Sequence, residues 1–172
     1  MSWYIRSMQL TDITAVVAIQ DQSYGAALYE PASILVQRLQ QAATSCWVAE
    51  DASSQQVLGY LFSYHSVLGE VGELGAEFTV IPDADALYLH DVAISPLARG
   101  NGIAQGLLRQ AQHYANKQQL SQLTLVAVQG ATSYWQRQGF HVVSKLDKSA
   151  NDALASYDIE KAIYMAKQCS LL

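Results

Sequence analysis

Leu87-Tyr88-Leu89-His90-Asp91-Val92-Ala93-Ile94 runs into Arg99-Gly100-Asn101-Gly102-Ile103-Ala104, and Gly102 to Lys117 follows with Ile103, Ala104, Leu107, Leu108, Ala111, Tyr114 and Ala115 toward one side. The first stretch is strand-like and the last has helical spacing, so a strand, a glycine loop and a helix stand in immediate succession. Leu123 to Val128 is a further apolar strand. A strand that returns through a helix to a second strand of the same sheet lies parallel to the first, so the middle of the chain predicts a β-loop-α-β unit.

Outward from this unit, Tyr4 to Ser7 reads as a short strand, and Thr11 stands as N-cap of a helix carrying Ile13, Val16, Val17 and Ile19 and ending near Tyr24-Gly25. A second helix extends from Pro31 to about Thr44. Cys46 to Ala49 and Val57 to Tyr64 read as an antiparallel hairpin across the polar turn Glu50 to Gln56. Residues 66–85 read as a long loop, with a short strand at Phe78 to Ile81; the loop is either a wall of an acceptor site or a solvated connector. Ala131 to Gln138 predicts a short helix closing at Gly139, Phe140 to Val143 a strand, Asn151 to Ala155 a loop, and Ala162 to Lys167 the closing strand.

The chain has 172 residues, 51% hydrophobic and 15% charged, which predicts one compact domain over 1–172. With 10 Lys+Arg against 15 Asp+Glu and no basic cluster, nucleic acid is excluded as the main partner. Cys46 and Cys169 stand apart with no C-x-x-C pair, so reduced thiols and no metal site are expected. The start resembles no signal peptide and no run approaches 18 apolar residues, so a cytoplasmic location and no membrane partner are expected.

A pyrophosphate needs several convergent N–H donors, and the first turn of a helix leaves such donors unpaired with the positive dipole end behind them. Arg99 to Ala104 has the small residues for close approach and an arginine for charge. Its glycines are equally able to serve a tight strand-to-helix turn alone. The G-x-x-x-x-G-K-[ST] loop is absent, and Gly100, Gly102 and Gly106 miss the dinucleotide spacing by one residue.

These residues resemble the Gcn5-related N-acetyltransferases, whose pyrophosphate loop has the form [QR]-x-x-G-x-[GA], filled here by Arg99, Gly102 and Ala104. Ala131 to Phe140 is similar to that family's A-x-x-[FY]-[YW]-x-x-x-G-F segment. The order of elements agrees from about Tyr4 to Lys167. The resemblance implies an α/β fold with a mixed, mostly antiparallel sheet, a splayed parallel strand pair and helices on both faces. It also implies transfer of an acetyl group from acetyl-CoA to a primary amine of a small molecule, peptide or protein. The pantetheine arm would meet Val92, Ala93 and Ile94, with the thioester carbonyl on a backbone N–H near Val92 or Ala93. The pyrophosphate would meet Arg99, Gly100, Asn101, Gly102, Ile103 and Ala104. Trp135, also assigned to the cofactor side, stands where the family often has an acidic tyrosine. Tyr134 is therefore either the acid or a packing aromatic, and Val128 replaces a frequent asparagine.

His90 and Asp91 are the alternatives for the base, and strand alternation would send them to opposite faces, with Tyr88 sharing the face of His90. Tyr24, Tyr29, Glu30, Tyr64, His65, Glu70, Glu73 and Glu77 would suit a cationic acceptor. The family likeness allows a homodimer. A non-catalytic acyl-CoA sensor is the rival function, motivated by Trp135, and transfer of a longer acyl group is a third.

Overall fold

The computed structural model describes residues 2–24, 28–79, 81–157 and 161–169. Among the described residues seven strands form one sheet: β1 (Trp3–Ser7), β2 (Trp47–Asp51), β3 (Val57–Ser66), β4 (Ala86–Ile94), β5 (Gln122–Ala127), β6 (His141–Val142) and β7 (Ile163–Gln168). Their order across the sheet is β1-β2-β3-β4-β5-β7-β6, and only β4 and β5 pair in parallel. That exception follows from the helix α3 (Ile103–Lys117), which connects them as a crossover, while the hairpin connection from β2 to β3 imposes an antiparallel pair.

The helices bury both faces. On one, Ile103, Leu107, Ala111 and Ala115 of α3 pack on Trp47, Leu61, Leu87, Leu89 and Leu125. On the other, α1 (Ile13–Ser23) and α2 (Ala32–Ala42) bring Val16, Ile19, Leu35 and Leu39 against Val48, Tyr60, Phe62 and Tyr88. Each helix therefore places its apolar stripe on the pleated surface, and the polar stripes face water.

Several local expectations give way to tertiary chemistry. A 3-10 turn over Leu10–Asp12 precedes α1, and the start is capped by the Asp12 carboxylate accepting from the Gln9 amide at 2.8 Å, not by Thr11. Helix α1 ends at Ser23, and Gly25 lies outside the described residues. No strand forms at Phe78 among the described residues of 66–85, Val80 lying outside them. Phe78 instead stacks on Tyr64 at 4.2 Å between ring centroids and underlies the Arg38 guanidinium. The expected loop at Asn151 to Ala155 is helical: α5 (Lys148–Ala155) is capped by Asp147, whose carboxylate accepts from the Ala150 amide at 2.8 Å. The short helix α4 (Thr132–Arg137) ends, as expected, at Gly139 with φ of +90°.

Two irregularities in β4 shape everything near it. Phe62 of β3 faces Asp91, but the next residue, Ser63, faces Leu89, so His90 is an extra residue, a β-bulge. Secondly, pairing with β5 stops at Leu89↔Leu125 although β4 continues to Ile94. The two parallel strands thus separate beyond that point.

Gly106 shows how tightly β1 is clamped to α3. A Cβ there would lie 2.5 Å from Trp3 Cη2 and 2.9 Å from Trp3 Cζ3, and the Trp3 ring is held by its Nε1 donating to Asn101 O at 3.0 Å. Gly106→Leu is expected to lower stability by about 1–3 kcal/mol through overpacking. Urea unfolding followed by tryptophan fluorescence measures this; an unchanged midpoint would contradict the close packing of Trp3.

Candidate active site

The separation of β4 from β5 opens a cavity of about 290 Å³, lined by Leu89, His90, Asp91, Val92 and Ile94 on one side and Leu125, Val126 and Val128 on the other. Its mouth meets a second hollow formed by Ile94, Ala98, the loop Arg99 to Ala104, and Arg109. Tyr134 lines both, whereas Trp135 lines only the first. Trp135 packs edge-on against Phe140 and Tyr134 and belongs to the rim of the α3-side core.

Backbone direction decides what the cavity offers. The Ser95 amide donates to Leu58 O at 2.8 Å, and the register pairs Tyr60 with Ala93 and Phe62 with Asp91. Hydrogen-bonding direction alternates along an antiparallel strand, so the amides of Asp91 and Ala93 point toward β3 and those of Val92 and Ile94 toward the gap. Ala93 is thereby corrected: it presents no amide to the cavity and cannot hold a thioester carbonyl with its N–H. Val92 and Ile94 keep their N–H groups on the open side, where β5 has moved away.

In the glycine loop, Gly102 is the residue before α3 and takes φ of +76°, a left-handed conformation that side chains disfavour. It turns the chain so that the first amides of α3 lie at the hollow, with the Gly106 amide making the first helical bond to Gly102 O at 3.0 Å. The amides of Ile103, Ala104 and Gln105 precede that bond and are the unpaired donors of the helix start. The Ile103 side chain is buried in the core, so only its backbone serves the hollow. Asn101 braces the loop: its Nδ2 donates to Ala98 O and Arg99 O, and its own carbonyl holds Trp3. Arg99 is exposed at the rim. Donors and space are those a pyrophosphate needs, and the gap leads from them directly along Val92 and Ile94.

At the inner end of the cavity the bulge corrects the expectation for His90 and Asp91. Leu87, Leu89, Val92 and Ile94 pack toward α3, while Tyr88 and Ala93 pack toward α1 and α2. The two residues between Leu89 and Val92 both turn to the α1–α2 side, because the extra residue breaks the alternation. Asp91 accepts from Tyr24 Oη at 2.8 Å and from Tyr60 Oη at 2.7 Å, and Tyr24 Oη also lies 2.9 Å from Val92 O. Burial pushes the Asp91 carboxyl above its usual range despite the Tyr60 hydrogen bond, the nearby His90 and the Tyr24 hydrogen bond, and burial beside Asp91 pushes both phenols well up. His90 Nε2 lies 3.2 Å from Glu30 Oε2, and Tyr88, as expected, shares its face with ring centroids 6.2 Å apart. Glu30 is also paired with Arg38, and both Glu30 and Arg38 are buried.

A smaller hollow of about 40 Å³ continues past His90 and Asp91, walled by Leu28, Leu74, Val126, Val128, Tyr157 and Glu30. Of the proposed acceptor-side residues, Tyr24 and Glu30 reach this centre. Tyr64 stacks with Phe78 inside the core, and His65 pairs with Tyr114 elsewhere. Tyr60 and Arg38, which bond Asp91 and Glu30, are neighbours of this centre that sequence reasoning missed. Arg38 had a signal: it occupies the buried stripe of α2 beside Leu35 and Leu39, where an arginine requires a partner. Among the described residues no group of three or more His, Cys, Asp or Glu side chains could hold a metal ion, and no helix is long and apolar enough to cross a membrane.

Residues 13–140 match the family model described as the acetyltransferase (GNAT) family. The chain belongs to the GNAT family. No curated protein matches it. Among solved structures, the fold is similar to a GNAT-like decarboxylase, GphF, in complex with isobutyryl-CoA, at 13% identity and a TM-score of 0.75, over 96% of this chain and 99% of that one. The loading GNATL domain of CurA from Lyngbya majuscula is similar at 11% identity and TM-score 0.75, over 98% of each chain. The ribosomal-protein-S18-alanine N-acetyltransferase from Escherichia coli is similar at 15% identity and TM-score 0.68, over 99% of this chain and 96% of that one. These likenesses extend the GNAT fold over the whole sheet.

The loop geometry carries a direct test. Gly102→Glu places an L side chain at positive φ and a carboxylate where the unpaired amides converge. Coenzyme A affinity measured by calorimetry is expected to fall at least about 100-fold, a loss of roughly 2.7 kcal/mol; unchanged affinity would remove the loop from the binding site.

Proposed function

We propose that this GNAT protein transfers the acetyl group of acetyl-CoA to a primary amine by direct attack within a ternary complex. The observation that carries the reading is the continuous run of unpaired backbone donors, from Val92 and Ile94 in the gap to the first turn of α3. An extended amide-bearing arm can add to β4 in the place β5 vacates, and a pyrophosphate can then seat on Gly102 to Ala104 with Arg99 and Arg109 supplying charge. The Val92 N–H is suited to polarise the thioester carbonyl, since it faces the gap beside the bulge.

On this reading the acceptor amine enters from the small hollow past His90, whose walls Leu28, Leu74, Val126 and Val128 favour an amine on a slender apolar stem. Both oxygens of Asp91 are engaged by phenols, which leaves His90 as the group that takes the amine's proton. Tyr134, half-buried on the cavity wall, is the proton donor for the departing thiolate; burial raises its hydroxyl above the ordinary phenol range. Asp91, with Tyr24, holds the Val92 carbonyl edge in place.

Trp135 favours a second reading, because an indole stands where relatives often have an acidic tyrosine: a module that binds acyl-CoA without turning it over. Release of free thiol from acetyl-CoA with a panel of small amines and peptide N-termini separates the two. Turnover with an acetylated product by mass supports transfer, a heavier product a longer acyl donor, and tight binding without thiol release for any amine the sensor. With a turned-over amine, His90→Gln is expected to lower kcat by about 100-fold and Tyr134→Phe by about tenfold, with coenzyme A affinity unchanged in both. Equal rates in wild type and His90→Gln would remove His90 from the chemistry.

A further inference from the structure

His90 is the residue the bulge adds to β4, and its side chain is only 3% exposed. One ring nitrogen, Nε2, meets Glu30 Oε2; the other, Nδ1, is buried with no hydrogen-bond partner among the described residues. His90 is among the residues that line both the acyl cavity and the small acceptor hollow. A buried polar atom without a partner is costly unless something else engages it.

The other side of the pair is fixed from behind. Glu30 is 3% exposed, and Arg38, which is fully buried, grips both its carboxylate oxygens, Nη2 donating to Oε1 at 2.6 Å and Nη1 to Oε2. The Gly75 amide donates to Oε1 at 2.8 Å. Arg38 is itself oriented by donating to Ala76 O, and the Glu30 backbone is locked by the Gln20 side chain, Nε2 to O at 2.8 Å and N to Oε1 at 3.1 Å. Burial pushes the Glu30 carboxyl up, but the His90 and Arg38 hydrogen bonds outweigh it and hold it well below the usual range. Glu30 is therefore an anion that can only accept, so the proton between it and His90 sits on Nε2.

We propose that Glu30, held by Arg38, is a positioning residue that fixes the Nε2–H tautomer of His90, leaving the Nδ1 lone pair as the atom that receives the acceptor amine's proton. The inference rests on the transfer reading above and deepens it. In the step, the amine nitrogen loses one proton to Nδ1 as its lone pair forms the new bond to the acyl carbon; the carbon–sulfur bond breaks, and its electron pair leaves on the thiolate. The resulting imidazolium is stabilised by Glu30, whose own charge Arg38 balances.

Glu30→Gln tests the idea because the amide is isosteric and its orientation is dictated. Oε1 faces two donors that cannot change role, Arg38 Nη2 and the Gly75 amide, whereas Oε2 faces one, Arg38 Nη1, beside His90, whose tautomer can change. The amide oxygen therefore takes the Oε1 position and the –NH2 group turns to His90, opposing one fixed donor instead of two. His90 Nε2 must then accept, and the proton moves to Nδ1, where it blocks the lone pair. Groups besides Glu30 that bear on His90 are Arg38 from α2, Asp91 and Tyr88 on β4, Tyr24 at the end of α1, Tyr60 on β3 and Tyr157 after α5. Of these, Arg38 alone contacts the substituted group and loses its anionic partner in the variant.

The tautomer is read by two-bond 1H–15N correlation of His90 in wild type and Glu30→Gln, assigned with His90→Gln, alongside kinetics with acetyl-CoA and a turned-over amine. Expected are Nε2–H with an unprotonated Nδ1 in wild type, the inverted tautomer in Glu30→Gln, and a kcat loss of at least about 100-fold with KM for acetyl-CoA unchanged. A wild-type His90 protonated on Nδ1 at neutral pH overturns the proposal, as does a folded Glu30→Gln protein with wild-type kcat. Should Glu30→Gln fail to fold, the wild-type spectrum alone decides. Absence of turnover in wild type with every amine would instead sink the transfer reading, independently of the tautomer.

Discussion

Parallel strands joined by a helix must share a ladder of hydrogen bonds, and in this protein the ladder between β4 and β5 ends at Leu89↔Leu125 while β4 runs on to Ile94. Every backbone polar group beyond that point needs another partner or water. Ala93 and Asp91 solve the problem through β3. Val92 and Ile94 do not, and Tyr24 takes only the Val92 carbonyl. The cavity is therefore a strand-shaped vacancy inside a sheet, and what fills it well is something that itself resembles a strand. The clamping of α3 against β1 through Gly106 and Trp3 matters for the same reason, since the glycine loop at the head of α3 is the far end of that vacancy.

The bulge at His90 is the second constraint, and it works with the first. Without the extra residue His90 and Asp91 would lie on opposite faces, and one of them would be driven into the apolar core under α3. With it, both turn to the α1–α2 side, where polar partners are stationed. The cost of taking Arg38 and Glu30 fully out of water is large, and hydrophobic replacement of such pairs is often neutral or stabilising. A buried pair of this kind is more readily explained by what it orients than by what it contributes to folding. The contact from Glu30 to His90 is the direction in which that orientation points.

Much of this was legible in the chain itself. The β4-α3-β5 unit, the hairpin of β2 and β3, the glycine loop and the turn at Gly139 follow from local patterns: apolar periodicity, glycine placement and crossover geometry. What escaped were features set by pairing rather than composition. A bulge leaves no mark on residues read one strand at a time, because it is a property of register between β3 and β4. The helix α5 was hidden by its short length, although Asp147 before Lys148-Ser149-Ala150 is a cap signal. Phe78 has strand propensity, but stacking on Tyr64 and lying under Arg38 serve it better than a ladder would.

Recognition by main chain also accounts for how little sequence the fold needs to keep. The GphF and CurA domains superimpose on nearly the whole chain at 13% and 11% identity. On the proposed reading, in which amides do the binding, a side chain is constrained only if it would intrude, as at Gly102, or if it must brace the backbone, as Asn101 Nδ2 does for the Ala98 carbonyl. Side chains on the cavity walls are under no such restriction, and there this chain sets its own pattern: Trp135 beside Tyr134 on α4, Val128 at the end of β5, and a histidine backed by a buried carboxylate on the bulge. On the proposed reading, the chemistry and the acceptor are properties of the wall, separable from the cradle at the head of α3, and the His90–Glu30 pair, braced by Arg38, is the part of the wall with the fewest alternative reasons to exist.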